Sequence, residues 1–134
     1  NVRLLGWIDK DQVSALLSRS DIGLLPYVRN APQGLPNKVF EYMAYGVFQI
    51  ATLAGEAKSL LEATGTGVSI PSATAGTLSD VIKRAVGQDV GHDQRIRRQS
   101  VFEERFEAGH IYGGLIDHIE KVVESCSNRT TRGR

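Results

Sequence analysis

The 134-residue chain holds one cysteine, Cys126, so no disulfide can close within it. That thiol reads as incidental, in a reducing compartment. His92, His110 and His118 are scattered, without metal-ligand spacing, so no metal site is expected. No apolar run approaches the ~20 residues of a membrane-spanning helix. Neither sign of charge dominates: 16 Lys and Arg against 15 Asp and Glu give +1, which recruits no class of partner. There is no G-x-S-x-G elbow, no phosphate-binding Walker loop and no C-x-x-C pair. Asp117 and His118 are neighbours on a predicted helix and point different ways, which excludes a dyad. Arg95, Arg97 and Arg98 have no interleaved aromatic residues. They read as one face of a charged helix rather than a nucleic-acid surface.

What is present fits one soluble domain, 41% hydrophobic and 23% charged. Short apolar segments alternate with helical patterns. Val2-Arg3-Leu4-Leu5-Gly6 reads as a strand, and Asp9 or Asp11 caps a helix to about Ser18. Asp21 to Pro26 is a buried strand stopped by proline, Val47 to Thr52 a third and Gly67 to Pro71 a fourth. Helices are expected over Asn37–Tyr45, Ala57–Ala63, Thr77–Val86, Asp93–Arg105 and Glu107–Ser125. Gly87 and Gly91 should break the fourth of the six helices, and Gly113-Gly114 interrupt the last. The domain is expected over residues 1–125, with 126–134 as a disordered tail. Strands separated by helices call for an α/β fold, a Rossmann-like parallel sheet with helices on both faces. Ligands of such sheets bind at the carboxyl ends of the strands. Asn37, Lys38 and Glu41 should therefore lie beside the Thr52–Glu56 loop.

The densest chemistry lies in Gly34-Leu35-Pro36-Asn37-Lys38-Val39-Phe40-Glu41-Tyr42-Met43-Ala44-Tyr45-Gly46. An apolar strand feeds a Gly/Pro loop, and the loop opens into a helix. Unpaired N–H groups and the helix dipole favour an anion at such a start. A lysine beside that start is electrostatically odd unless an anion is near. A glutamate one turn further in can accept hydrogen bonds from sugar hydroxyls. Together they suggest a nucleotide or nucleotide-sugar ligand. Tyr42 and Met43 read as packing residues, and Thr52, Ala54, Gly55 and Glu56 as a plain turn with a helix cap.

This stretch resembles the donor-site helix of group 1 glycosyltransferases of GT-B architecture. Ser20-Asp21-Ile22-Gly23-Leu24-Leu25-Pro26, Gly65-Thr66-Gly67-Val68-Ser69-Ile70-Pro71 and Glu104-Arg105-Phe106 are similar to flanking motifs in the same order. The resemblance spans Val2 to Ile119. It implies part of the C-terminal, donor-binding domain of a two-domain enzyme that moves a sugar from a nucleoside diphosphate donor to a glycan, lipid-linked or small-molecule acceptor. The donor is a substrate, and no cofactor or bound metal is implied. The chain opens on Asn1 without an initiator methionine or a signal-peptide pattern. It is expected to be a piece of a longer enzyme, inactive alone, whose partner is the missing N-terminal acceptor domain. Polysaccharide biosynthesis in the cytoplasm, with peripheral contact at the inner membrane face, is implied by analogy.

Carried over residue by residue, Glu41 matches the carboxylate that holds the ribose. Asn37 and Lys38 match the helix start facing the diphosphate, and Gly34, Leu35 and Pro36 the loop beside the donor sugar. Lys38 and Gln33 are the candidate catalytic residues. Gln33 stands where the family usually has an acid, keeping hydrogen bonding without the charge. Phe48 replaces a usual proline in Gly46-Val47-Phe48-Gln49-Ile50. Two rival readings stay open: a GT-B epimerase or phosphorylase, and a truncated, non-catalytic interaction module.

Overall fold

The computed structural model describes residues 2–28, 31–32 and 34–131, with side chains described through Ser125. Three parallel strands, β1 (Ile22–Leu25), β2 (Phe48–Ala51) and β3 (Gly67–Ser69), form a sheet in the order β1-β2-β3. Around them run α1 (Lys10–Ser18), α2 (Asn37–Ala44), α3 (Glu56–Thr64), α4 (Ala75–Gln88), α5 (His92–Arg105) and α6 (Ala108–Thr131). Ile22 pairs with Phe48 and Leu25 with Ala51, and Ala51 in turn pairs with Ser69. The three carboxyl ends therefore lie together on one rim.

Local chemistry explains most boundaries. Asp9 accepts from the Gln12 amide while Gln12 accepts from the Asp9 amide, a reciprocal cap that starts α1. Thr74 and Thr77 do the same for α4. Gly46, at φ +64°, turns the chain from α2 into β2 against the Arg95 backbone, a conformation that a side chain would strain.

All four residues of β2 are buried, as a central parallel strand requires. Phe48 and Ile50 pack with Val81 and Ala85 of α4. Ala51, with Leu25, packs on the opposite face with Val39 and Met43 of α2 and Leu61 of α3. Helices thus cover both faces, as the alternation of elements predicts. Tyr42 lies directly over Gly23, where a Cβ would collide with its ring. Tyr42 and Met43 are packing residues, as expected.

Several expectations fail for physical reasons. Val2–Gly6 is not a strand. It pairs with no other described residue, and Leu4 and Trp7 stand in solvent, 94% and 103% exposed. An apolar pentamer becomes a strand only beside a neighbour, so the sheet has three strands, not four. Gly87 does not break α4, which runs on to Gln88, and Gly113-Gly114 does not interrupt α6. A helical glycine costs only about 1 kcal/mol against alanine. The last helix continues past Ser125 to Thr131, into the segment read as a tail.

The largest correction concerns the basic cluster of α5. Arg98 is only 4% exposed. Its Nε donates to the Gly46 carbonyl at 2.8 Å and its Nη1 to the Asp89 carbonyl at 2.9 Å. Its guanidinium lies 5.7 Å from the Phe48 ring. Burial lowers its pKa, and the nearby Asp89 carboxylate opposes that shift. Arg95 donates to Ser18 O at 2.8 Å, to Tyr45 O at 3.2 Å and to Ser20 O. These carbonyls end α1, α2 and α4, where helix dipoles favour cations. Arg95 and Arg98 are helix-end clamps rather than part of a solvated face, and Arg97 remains exposed as expected.

Gln49 carries the opposite balance. It is fully buried on β2, and neither its amide nitrogen nor its amide oxygen has a partner among the described residues. A buried, unpaired polar group costs about 1–3 kcal/mol. Gln49→Met, similar in length and apolar, is expected to raise stability in urea denaturation by about that amount. Arg98→Ala should lower it by about 3 kcal/mol or more, since one buried and one half-buried carbonyl lose charged donors at once. A loss under 1 kcal/mol in the same titration would show that the clamp is dispensable.

Candidate functional site

Parallel βα units place helix starts on the rim where strands end. Here that rim carries the starts of α2 and α3, and its loops are tied to one another. The Thr52 amide, just past β2, donates to Leu25 O at 3.1 Å. Its hydroxyl lies 2.6 Å from Tyr27 O and 3.3 Å from Leu25 O. The hydroxyl of Ser69, at the end of β3, donates to the Leu53 carbonyl. Thr52 is therefore not the helix cap that its position suggests. It ties the loop after β1 to the end of β2.

α2 begins at Asn37 after Pro36, which has extended backbone and supplies no side-chain cap. The Val39 amide turns back to Pro36 O at 3.0 Å. Among the described residues, no group accepts from the amides of Asn37 and Lys38, which stand in the first turn, where a helix leaves its N–H groups free. α3 likewise starts without a side-chain cap, after Gly55. α1 and α4 both have full reciprocal caps.

The charged pair of α2 sits next to this open start. Lys38 Nζ and Glu41 Oε2 are 2.5 Å apart, one turn along the same helix face. The ammonium is also 5.9 Å from the Tyr42 ring. The hydrogen bond to Glu41 raises the Lys38 pKa above its ordinary value, against partial burial. A raised lysine keeps its contribution complete below the ordinary value and loses it only as pH climbs through the raised one. The Lys38 ammonium therefore stays charged across the neutral range. Burial raises the pKa of Tyr42 as well, and the Lys38 charge partly offsets this. The lysine that looks odd in the sequence thus has an anion within the chain, namely Glu41. Both side chains are more than a third exposed. Such a pair contributes about 0–1 kcal/mol and opens readily.

The remaining predicted positions fall around the same start. Gly34 and Asn37 are exposed, while Leu35 and Pro36 are half-buried, with Leu35 packed on the core below α2. Gln33 lies outside the described residues. The sequence reading missed the tie made by Thr52 and the position of Glu56, whose Oε2 stands 3.5 Å from where a Gly34 Cβ would be. The signal for Thr52 was a hydroxyl at a strand end, which spacing alone cannot assign to a partner 25 residues away.

A family model described as "Glycosyl transferases group 1" matches residues 1–88. The chain belongs to the group 1 glycosyltransferases. The match includes β1, the Gly34–Gly46 stretch, β2, α3, β3 and α4, hence the whole rim. Glu104-Arg105-Phe106 lies beyond the matched residues. Comparison with curated proteins and with solved structures finds no match. For this glycosyltransferase chain, a three-stranded parallel sheet flanked by helices is consistent with a Rossmann-like GT-B domain fragment. Among the described residues no helix is long and apolar enough to cross a membrane.

If the Thr52 hydroxyl holds the loop after β1, Thr52→Val should speed amide exchange at Tyr27 and Val28 by about tenfold, the rate equivalent of one hydrogen bond of about 1.4 kcal/mol. Protection of β2 itself should be retained. Unchanged exchange in the loop would show that the tie is incidental.

Proposed function

We propose that this part of the glycosyltransferase binds a nucleoside diphosphate sugar and serves its transfer to a glycan, lipid-linked or small-molecule acceptor. The observation that carries this reading is the uncapped start of α2 on the strand-end rim, with the Lys38–Glu41 pair beside it.

The diphosphate would lie against the amides of Asn37 and Lys38, where the helix dipole is positive. Negative charge grows on that diphosphate as the sugar departs, and preoriented donors stabilise it most at that moment. Lys38 would turn from Glu41 to the diphosphate and add a charge-assisted contact. The freed Glu41 carboxylate would accept from the two vicinal ribose hydroxyls. One ligand thus replaces both halves of the pair. The balance favours this exchange: the exposed pair contributes about 0–1 kcal/mol, whereas hydrogen bonds to charged groups contribute about 1.5–3 kcal/mol each. Holding the ribose also fixes the position of the sugar's reactive carbon, a positioning effect.

Gly34, Leu35 and Pro36 would line the sugar end of the site, with Gln33 as a neutral hydrogen-bonding neighbour. No resident cofactor or metal is part of this reading. An acceptor-binding domain completes the enzyme, which works in the cytoplasm or at the inner membrane face, in polysaccharide biosynthesis by analogy.

Calorimetric titration with uridine, guanosine and adenosine diphosphates tests the site. One of the three should bind, and Glu41→Ala should weaken it by about tenfold or more, the equivalent of 1.4 kcal/mol. The same substitution should change folding stability by under about 1 kcal/mol. Equal losses in binding and folding would make the carboxylate structural. No heat from any of the three with folded protein would sink the nucleotide reading.

A further inference from the structure

The start of α3 brings a second carboxylate to the rim. Glu56 is the first residue of α3 and is exposed. The dipole of α3 accounts for a negative charge at this position. It does not account for the direction of the side chain. A carboxylate serving only its own helix would turn back over the first amides. Glu56 instead reaches toward the neighbouring loop. Its Oε2 lies 3.5 Å from where a Gly34 Cβ would be, the one such contact among the described residues. It makes no hydrogen bond or ion pair with another described residue, in contrast to Glu41.

The placement is fixed by the fold. β1 and β2 are direct neighbours, so the loops that follow them run side by side. The Thr52 ties hold those loops together at their bases. Gly34 has no side chain to fill the gap between its loop and Glu56. Gly34 also stands only three residues before Asn37, so the two Cα atoms are at most about 11 Å apart. A group attached to an anion on the α2 start would therefore be within reach of Glu56.

We propose that Glu56 is a specificity-determining residue that accepts hydrogen bonds from hydroxyls of the sugar carried on the diphosphate. This rests on the nucleotide-sugar reading above. The charge decides which part of the ligand Glu56 meets. A carboxylate repels phosphate, and its oxygens can only accept when ionised. Vicinal hydroxyls supply two donors without charge, so the sugar rather than the diphosphate is its partner. Glu41 and Glu56 then divide the ligand: one takes the ribose and the other the transferred sugar.

The test compares the sugar nucleotide with the bare diphosphate on the full chain. Uridine diphosphate is titrated against uridine diphosphate glucose, and guanosine diphosphate against guanosine diphosphate mannose. Wild type, Glu56→Gln and Glu56→Ala are compared, with thermal unfolding to confirm that all three fold. Glu56→Ala should weaken the sugar nucleotide at least tenfold while leaving the bare diphosphate within twofold. Glu56→Gln, which keeps one acceptor oxygen, should fall between. Equal changes for both ligands, or no change for either, would overturn the role of Glu56 and leave the nucleotide site standing. A folded wild-type protein that binds none of the four ligands, and no adenosine diphosphate or adenosine diphosphate glucose either, would overturn both.

Discussion

Two arginines of α5 hold the far ends of three helices, and the polarity of the domain depends on them. Each βα unit sends its helix start to one rim of the sheet and its helix end to the other. The ends gather exposed carbonyls and partial negative charge. A sheet of three strands has little surface with which to anchor them. Arg98 and Arg95 do so by donating to Gly46, Asp89, Ser18, Ser20 and Tyr45. Gln99 adds a long contact to Ala44 O at 3.4 Å. Cations thus close the amino rim, and the starts of α2 and α3 on the carboxyl rim remain without side-chain caps. The two ends of the domain thus differ: side-chain cations serve the helix ends, while α2 and α3 start without side-chain caps and α4, after β3, is capped by Thr74 and Thr77.

How much of this was legible depended on the range of the signal. Local signals served well. The reciprocal cap at Asp9, the proline after Leu25 and the glycines at 46 and 65 mark element ends within a residue or two. Signals that need a distant partner did not. Val2–Gly6 has the composition of a strand, but no ladder forms beside it. Arg98 follows Arg97 in a polar run, and nothing local reveals that its guanidinium enters the interior. Burial of an arginine is decided by carbonyls on α2 and α4, brought near only by the fold. Gln49 shows the same gap: its neighbours in sequence announce a buried strand, and only the packing shows that its amide finds no partner.

The placement of the candidate residues in the fold was legible, and their state less so. The run from Gly34 to Glu41 does form a loop and helix start at the strand-end rim. What the sequence could not convey is that Lys38 and Glu41 engage each other. Spacing of three along a helix permits such a pair but does not require it, since the gain is small. The function of Thr52 was hidden for a similar reason. A hydroxyl after a strand can cap the next helix or reach across to the preceding loop. The register of β1 against β2 decided the matter.

The pairing of Lys38 with Glu41 bears on why a charged pair suits an open ligand site. An isolated ammonium next to a helix start would face the positive end of the dipole, and an isolated carboxylate one turn later would gain little from it. Paired, the two side-chain charges offset each other. The pair is exposed, so its strength is limited by water, and a ligand need supply only modest contacts to divide it. A buried pair would be far harder to separate, because each ion would then need its own replacement for lost solvation. In the proposed reading, partial exposure is therefore what would allow the same two residues to pair in the free chain and still turn to a ligand.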